Sequence, residues 1–383
     1  SLHQMQDMLY RESNTMSEKK REQACEMLHQ MYRMAVQTQP PALRLKGDLA
    51  LIIRQRAQRT LALGGDFTGM DLTGADFSGM DLRGANFRKA LLESVDYRHA
   101  KLDGACFEGA MLARAEFEKT SMQGCDFSEA SMSLAQCVQS DFSGARLKDT
   151  HLQNTYFADC IFDKAHIDGS LLRETGLSRC RFHESKLDNC IFMELTLAQP
   201  DFRGATLQKC AFMQSKLVAA NFHSATLDSC SFVQTLAEQA CFSHATWITT
   251  AVASESDFTD ADFSYATLRQ CNLRQTPLTG AQFGQAKLDN SDFSEANCAS
   301  SHFVGANLMG SLFVRTDFRN VDFTDANLMG AILQKSQLGG AIFPGANLFR
   351  ADLSQSFTSD ATRFDGAWTK RIKTLPKRDG EVI

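Results

Sequence analysis

What this chain lacks narrows its class first. No run of apolar residues approaches the ~20 needed to cross a bilayer as a helix. No signal peptide is read at the N-terminus, although the chain opens Ser1-Leu2 without Met. No Cys-x-x-Cys, Walker-type loop or nucleophile elbow occurs in the 383 residues, so no catalytic or nucleotide-binding motif is present. Positive charge is also short. Residues 1–63 and 354–383 hold 16 of the 40 basic and 10 of the 45 acidic residues, which leaves 24 basic against 35 acidic between them, a net of −11. A surface of that sign does not bind nucleic acid, because phosphate contacts need clustered Lys and Arg. Finally, the apolar residues follow neither the 3.6 period of a helix nor the 2.0 period of a strand.

What is present is a period of five. Phe67, Leu72, Phe77, Leu82 and Phe87 open a series of pentad centres that continues in phase to Trp247, slips by one residue, and resumes from Phe258 to Leu353. All 57 centres belong to a residue set that makes up only 43% of the chain. Two residues before each centre the side chain is small in 51 of the 57 pentads; Met70, Met80, Val95, Leu195, Pro200 and Val321 are the exceptions. A short inward side chain beside a large one is what a narrow, filled core requires. The chain must therefore turn at every pentad.

Ala75-Asp76-Phe77-Ser78-Gly79, Ala85-Asn86-Phe87-Arg88-Lys89, Ala306-Asn307-Leu308-Met309-Gly310 and Ala326-Asn327-Leu328-Met329-Gly330 resemble the units of the pentapeptide repeat family. The resemblance covers about three quarters of the chain. It implies an all-β solenoid: a right-handed quadrilateral β-helix in which four pentads make one coil. At a strand spacing of about 4.8 Å this would give roughly fourteen coils and a rod on the order of 70 Å long. Residues 1–63 are expected to form a helical N-terminal cap, 64–353 the β-helix with its slip at 248–257, and 354–383 a C-terminal tail. In the cap, Ser17 reads as the N-cap of an amphipathic helix with a stripe of Ala24, Leu28, Met31 and Ala35, Pro40-Pro41 ends it, and Asp48 to Thr60 reads as a second helix. An open coil exposes strand edges and core, so both termini are expected to cover the ends. The Phe/Leu alternation of the centres changes phase between Met132 and Phe162, around the small centre Cys137, which reads as a local repacking of the core.

The same register accounts for residues that would otherwise suggest chemistry. Of twelve cysteines, seven (Cys125, Cys160, Cys180, Cys190, Cys210, Cys230 and Cys271) fall in the small inward slot, and Cys137 and Cys298 are centres. They read as buried free thiols, a usage that fits a reducing compartment. The seven histidines of the repeats, His99, His151, His166, His183, His223, His244 and His302, fall on outward positions. His183 and His223 share a wall but sit two coils apart, roughly 10 Å, too far for one zinc. Asp66, Asp71, Asp76 and Asp81 each precede a centre, and so regular a recurrence suits turns and ladders better than acid–base pairs. A packed core leaves no cavity for substrate. The expectation is a protein without catalytic, metal or cofactor-binding residues, and not an enzyme.

Apolar residues at outward positions are then the informative ones. Folded at twenty residues per coil, Leu171, Ile191 and Ala211 stack just before the centres of one wall, with Met193, Met213 and Val233 just after. A second group lies further on: Met309, Met329 and Phe349 in one column, with Leu312, Ile332 and Val314 on the adjoining wall. A patch of a few hundred Å² usually means contact, either with the chain's own termini or with a partner. The leading expectation is a non-enzymatic interaction scaffold or adaptor that binds protein partners, not nucleic acid, with self-association through the apolar walls left open. The run Gly65-Asp66-Phe67-Thr68-Gly69-Met70-Asp71-Leu72 resembles pentapeptide modules that accompany bacterial type VI secretion accessory proteins. That implies a bacterial, cytoplasmic protein associated with or exported by a secretion machine. The rival expectation also comes from the resemblance: some pentapeptide repeat proteins mimic B-DNA and bind DNA gyrase or topoisomerase IV, which a net of −11 permits. Those mimics are typically smaller and dimerise through a C-terminal helix, whereas the tail here is short and basic.

Overall fold

A period of five closes into a coil because each pentad ends on a residue with left-handed backbone. The computed structural model describes residues 38–253 and 255–375, with Lys19, Lys20, Gln23, Ala24, Met27, Leu28, Met31, Tyr32 and Val36. Ser17 and Ala35 lie outside the described residues. The chain divides into two compact units, Ser1–Arg181 and Phe182–Ile383, built on one plan. Two residues after each centre φ is positive: Gly69 at 64°, Lys89 at 55° and His99 at 60° in the first unit, Gln214 at 50° and Gln275 at 58° in the second. The chain turns there, as when the N–H of Met70 donates to the carbonyl of Phe67 at 3.1 Å. Outside glycine this conformation costs roughly 1–2 kcal/mol per residue, so the ladder on both sides must hold it in place.

Each coil pairs in parallel with the next at a spacing of twenty. In the first unit Glu116–Glu118 pairs with Gln136–Val138, and Arg146–Lys148 with His166–Asp168. In the second, Thr206–Gln208 pairs with Thr226–Asp228, and Ala211–Met213 with Ser231–Val233. Every pentad centre is buried, Leu72 and Leu353 being the most exposed at 7%. Rings stack between coils: Phe212 lies 4.6 Å from Phe192 and 5.1 Å from Phe232, with Phe222 edge-on at 6.0 Å. Where the alternation changes phase, Phe157 and Phe162 meet edge-on at 5.2 Å and Phe162 stacks on Phe142 at 4.8 Å.

Size is only part of why the slot before each centre is small. The hydroxyl of Thr120 donates to the carbonyl of Tyr97 at 2.9 Å, Thr155 to Met132 at 2.9 Å, Thr235 to Phe212 at 3.0 Å and Thr316 to Phe293 at 2.9 Å. Each accepting carbonyl belongs to a centre one coil earlier. A buried hydroxyl is thereby satisfied, which is why Ser and Thr share the slot with Ala. The Cys210 thiol makes the same contact, to Leu187 at 3.2 Å. The cysteines of the slot and of the centres are free and buried. Burial pushes the Cys125 thiol up to about 12, which keeps it protonated and inert. The recurring Asp residues cap the turns: Asp76 accepts from the Ser78 N–H at 2.9 Å, and Asp322 from the Thr324 N–H at 2.8 Å.

One coil of the second unit holds an extra residue, as a later one does where Ile342 pairs with Arg363 across twenty-one positions. Leu236 pairs with Asp257 and Thr246 with Thr267, a spacing of twenty-one. Val252 is buried as an additional centre, at 3% exposure, and the N–H of Ala253 still reaches Phe232 at 2.8 Å. The extra residue is therefore absorbed at the corner between 253 and 256. Phe258, the next centre along from the small centre Ala237, and Trp247 lie 5.4 and 5.3 Å from Phe232. Beyond Leu353 the ladder continues, pairing Phe357 with Gln337, Arg363 with Ile342, Trp368 with Asn347 and Lys373 with Asp352. The segment after residue 353 is laid down as a further coil as far as Lys373.

At the start, helix α1 (Gly47–Ala62) lies over the first coil, with Ile53, Ala57 and Thr60 lining a cleft shared with Phe67, Met70 and Leu72. Arg54 ties it down by donating to the carbonyl of Ser78 at 2.7 Å and of Asp76 at 3.2 Å. Ahead of it a strap crosses a wall of the first unit. Tyr32 and Val36 are buried against Leu91, Met111 and Ala113, with Leu28 beside them. The expected stripe holds in part: Leu28 packs here and Ala24 is half-buried, but Met31 is 64% exposed, and Tyr32 and Val36 are the residues that meet the apolar pair of the wall. Glu93, itself buried, accepts from the Tyr32 hydroxyl, from the Ala42 N–H at 3.1 Å and from Arg114 at 2.8 Å. Arg114 also donates to the carbonyls of Val36 at 2.5 Å and Gln39 at 2.7 Å. Gly74 belongs to the same contact. Its φ is 69°, and a Cβ there would meet the Leu43 carbonyl oxygen at 2.3 Å.

Candidate interaction surface

In the second unit, strands Ile191–Met193, Ala211–Met213 and Ser231–Val233 pair in register, so that Phe192, Phe212 and Phe232 stack inward. The alternation of a strand then turns Ile191, Ala211 and Ser231 outward on one side of the centres, and Met193, Met213 and Val233 on the other. Ile191 is 39% exposed, and Met193, Met213 and Val233 are half-buried. A file of amides borders them: Gln214 donates to Gln234 at 3.1 Å, and Gln234 to Glu255 at 2.7 Å. This gives a flat apolar strip edged by fixed polar groups. Leu171, in strand Leu171–Arg173 of the first unit, is likewise half-buried.

The second group stands on an asparagine ladder. Asn347 donates to Asn327, and Asn327 to Asn307, each at 3.0 Å, and two residues beyond each amide come Met309, Met329 and Phe349. Met309 and Leu312 are each 37% exposed, while Met329, Ile332, Val314 and Phe349 are half-buried. Trp368, paired with Asn347, continues the file of asparagines, its ring 5.5 Å from Phe349. One apolar face was not anticipated. Leu91 and Met111 occupy the position before a centre, as Leu171 and Ile191 do, and that was the available signal. Here the strap covers them.

The polar walls are largely neutralised in place. Arg98 pairs with Asp96, Arg203 with Asp201 and Arg319 with Asp317. Asp201 also meets His183 Nε2 at 2.7 Å. None of the seven repeat histidines is buried. Among the described residues no three His, Cys, Asp or Glu side chains come together to hold a metal ion, and no helix is long and apolar enough to cross a membrane. Hydrogen bonds from Arg83 hold the Asp81 carboxyl down at about 2. Burial pushes Asp96 and Asp317 up, but the guanidiniums and N–H groups of Arg98 and Arg319 outweigh it and leave both below the usual range. Carboxyls depressed in the fold stabilise it above their unfolded pKa, near 4, and lose that contribution as pH falls through the folded value. Stability in urea should therefore be level from neutral pH to about 5 and decline from about 4 towards 2; a gain on acidification would contradict these pairings.

The family pattern described as pentapeptide repeats matches this chain in 8 copies, over residues 64–96, 90–129, 140–175, 198–234, 256–294, 291–330 and 322–357. No curated protein matches it. Among solved structures it is similar to HetL, a pentapeptide repeat protein involved in heterocyst differentiation regulation from the cyanobacterium Nostoc sp., at 17% identity over 85% of this chain and 97% of that one, with a TM-score of 0.20. It is similar to full-length QnrB1, a plasmid-mediated fluoroquinolone resistance protein, at 17% identity over 64% and 93%, with a TM-score of 0.29. A pentapeptide repeat protein of the Arabidopsis thaliana thylakoid lumen matches at 24% identity over 34% and 66%, with a TM-score of 0.17.

Proposed function

We propose that this chain, which belongs to the pentapeptide repeat family, is a non-enzymatic scaffold or adaptor that binds a protein partner along the wall at Ile191, Met193, Met213 and Val233. The observation that carries this reading is the apolar strip itself. Nothing in the coil requires those side chains to be apolar, since the repeat is complete once Phe192, Phe212 and Phe232 are inside. Where the first unit has outward apolar residues at equivalent pentad positions, Leu91, Met111 and Ala113, the chain's own Leu28, Tyr32 and Val36 lie on them. An amphipathic helix is accordingly the partner this strip suits, and Met side chains adapt to such a surface. The group at Met309, Leu312, Met329, Ile332 and Phe349 is a second contact of the same kind. The wider setting, a bacterial cytoplasmic protein working beside a type VI secretion machine, is part of the same proposal.

The double variant Met193→Glu/Met213→Glu should melt within about 0.5 kcal/mol of the parent, as surface changes usually do, and lose partners captured by the parent from its host. A folded variant that keeps every partner places the interface elsewhere. The net of −11 in the repeats favours a second reading, a DNA mimic that binds a type II topoisomerase. Against it, Asp96, Asp201 and Asp317 are each tied to an arginine two residues on, which breaks up any phosphate-like array. Added protein should leave gyrase supercoiling unchanged, and inhibition would reverse the ranking.

A further inference from the structure

The two ends of the repeats are finished differently. At the start the centres Phe67, Leu72, Phe77 and Leu82 are all apolar, and helix α1, with Ala57 buried, lies beside Phe67 and Leu72. At the other end Phe357, Arg363, Trp368 and Lys373 pair with the coil before, so the centres of the last coil are the residues that follow them: Thr358, Phe364, Thr369 and Thr374. All 57 earlier centres come from the apolar set, whereas three of these four are threonine. The three threonines are exposed, and Phe364 stacks on Phe343 at 4.8 Å. One coil earlier the N–H of Phe343 reaches the carbonyl of Arg363 at 2.8 Å, and that of Leu348 reaches Trp368 at 2.9 Å. Among the described residues no backbone carbonyl accepts from the N–H of Thr358, Phe364, Thr369 or Thr374. The edge of the ladder is open there, and most of the surface it frames is hydroxyl, not hydrocarbon.

The rim of this coil is cationic: Arg363, Lys370, Arg371 and Lys373 stand against Asp360 and Asp365, all of them exposed. Trp368 and Leu375 are exposed as well, but they occupy the outward positions before and after a centre, and Trp368 leans on Phe349 of the coil behind. An open strand edge is a template for further pairing, and proteins blunt such edges with Lys, with Pro and with polar groups turned inward. Here Pro376 comes next in sequence. We infer that the last coil is a stop, which closes this end of the ladder to a second copy of the chain. Stacking two such ends would strip water from Thr358, Thr369 and Thr374 with little apolar gain, and would set two cationic rims against each other. Since α1 occupies the start, both ends are shut to edge pairing and partners are left the walls. The stop does not depend on the reading of the strip around Ile191.

Thr358→Leu/Thr369→Leu/Thr374→Leu gives the last coil the centres of the earlier ones. In light scattering after gel filtration, over a series of concentrations, this variant of the full chain should self-associate more tightly than the parent, by about tenfold for each leucine buried. Its association should strengthen as salt screens the two rims. Thr369→Lys, which adds charge to the same end, should keep the parent's mass at every concentration. A melting curve like the parent's shows that each variant folds; should the triple variant melt early, Thr369→Leu alone makes the same comparison with a smaller shift. The inference is overturned if a folded leucine variant has the parent's mass throughout, or if added salt weakens its association. It is equally overturned if the parent self-associates and Thr369→Lys abolishes that association, since this end would then be an interface.

Discussion

Phe212→Ala is expected to destabilise the second unit by about 3–5 kcal/mol. The Phe212 side chain is fully buried and stacked between Phe192 and Phe232 at 4.6 and 5.1 Å. Truncation therefore removes two stacked contacts and the edge-on contact to Phe222, besides the transfer free energy of the ring. The wall cannot close over the gap, because the backbones on either side are held at strand spacing by ladder hydrogen bonds. Phe212→Leu, with a residue the other walls already use as a centre, should cost less, about 1.5 kcal/mol or below if the neighbours repack. Urea unfolding monitored by circular dichroism would measure both. A loss under about 1 kcal/mol for the alanine variant would show that the coil collapses onto the cavity and that the core is less rigid than the ring spacings indicate.

Arg114→Met should cost about 3–5 kcal/mol by a different route, leaving the Glu93 carboxylate buried without its counter-ion. Arg114 and Glu93 side chains are 14% and 8% exposed, so solvent does little to soften the loss. The same substitution removes the two hydrogen bonds that hold Val36 and Gln39. The strap should detach before the coils melt, and trypsin would then cut at Arg44 and Lys46 while the repeats stay intact. Adding Glu93→Leu to Arg114→Met should recover part of the loss, since an apolar pair of similar volume often replaces a buried ion pair at little cost. A single variant that resisted trypsin like the parent would mean that the apolar contacts of Tyr32 and Val36 hold the strap unaided.

How far these features can be read from sequence depends on whether they repeat. The centres and the small slot repeat in every pentad, so the coil, its register and the one-residue slip are visible in side-chain size alone. The hydrogen bonds from Thr120, Thr155 and Thr235 were hidden within that pattern, because a slot that admits Ala, Ser, Thr and Cys looks like a constraint on volume. The strap was not legible. Tyr32 meets Glu93 across 61 positions, and Arg114 meets Val36 across 78. Each contact occurs once, with no period to reveal it. The stripe through Met31 followed a plausible helical spacing, but which helical face is buried is decided by the wall it meets. The apolar columns at Ile191 and Met309 follow from the register, whereas their occupants are not written in it.

The corner between 253 and 256 bears on how a chain of this kind can change in length over time. It takes in one residue, and the pairings on both sides of it, Phe232 with Val252 and Trp247 with Leu268, remain centre to centre. Small insertions at corners are therefore neutral with respect to which side chains share a wall. Gain or loss of a whole coil is neutral in the same sense. A single pentad added or removed would instead hand every later column to the neighbouring wall, separating Ile191 from Ala211 or Met309 from Met329. Related sequences should accordingly differ by corner residues or by multiples of twenty within the repeats, and an isolated change of five would mark a lineage whose surface had been reassigned.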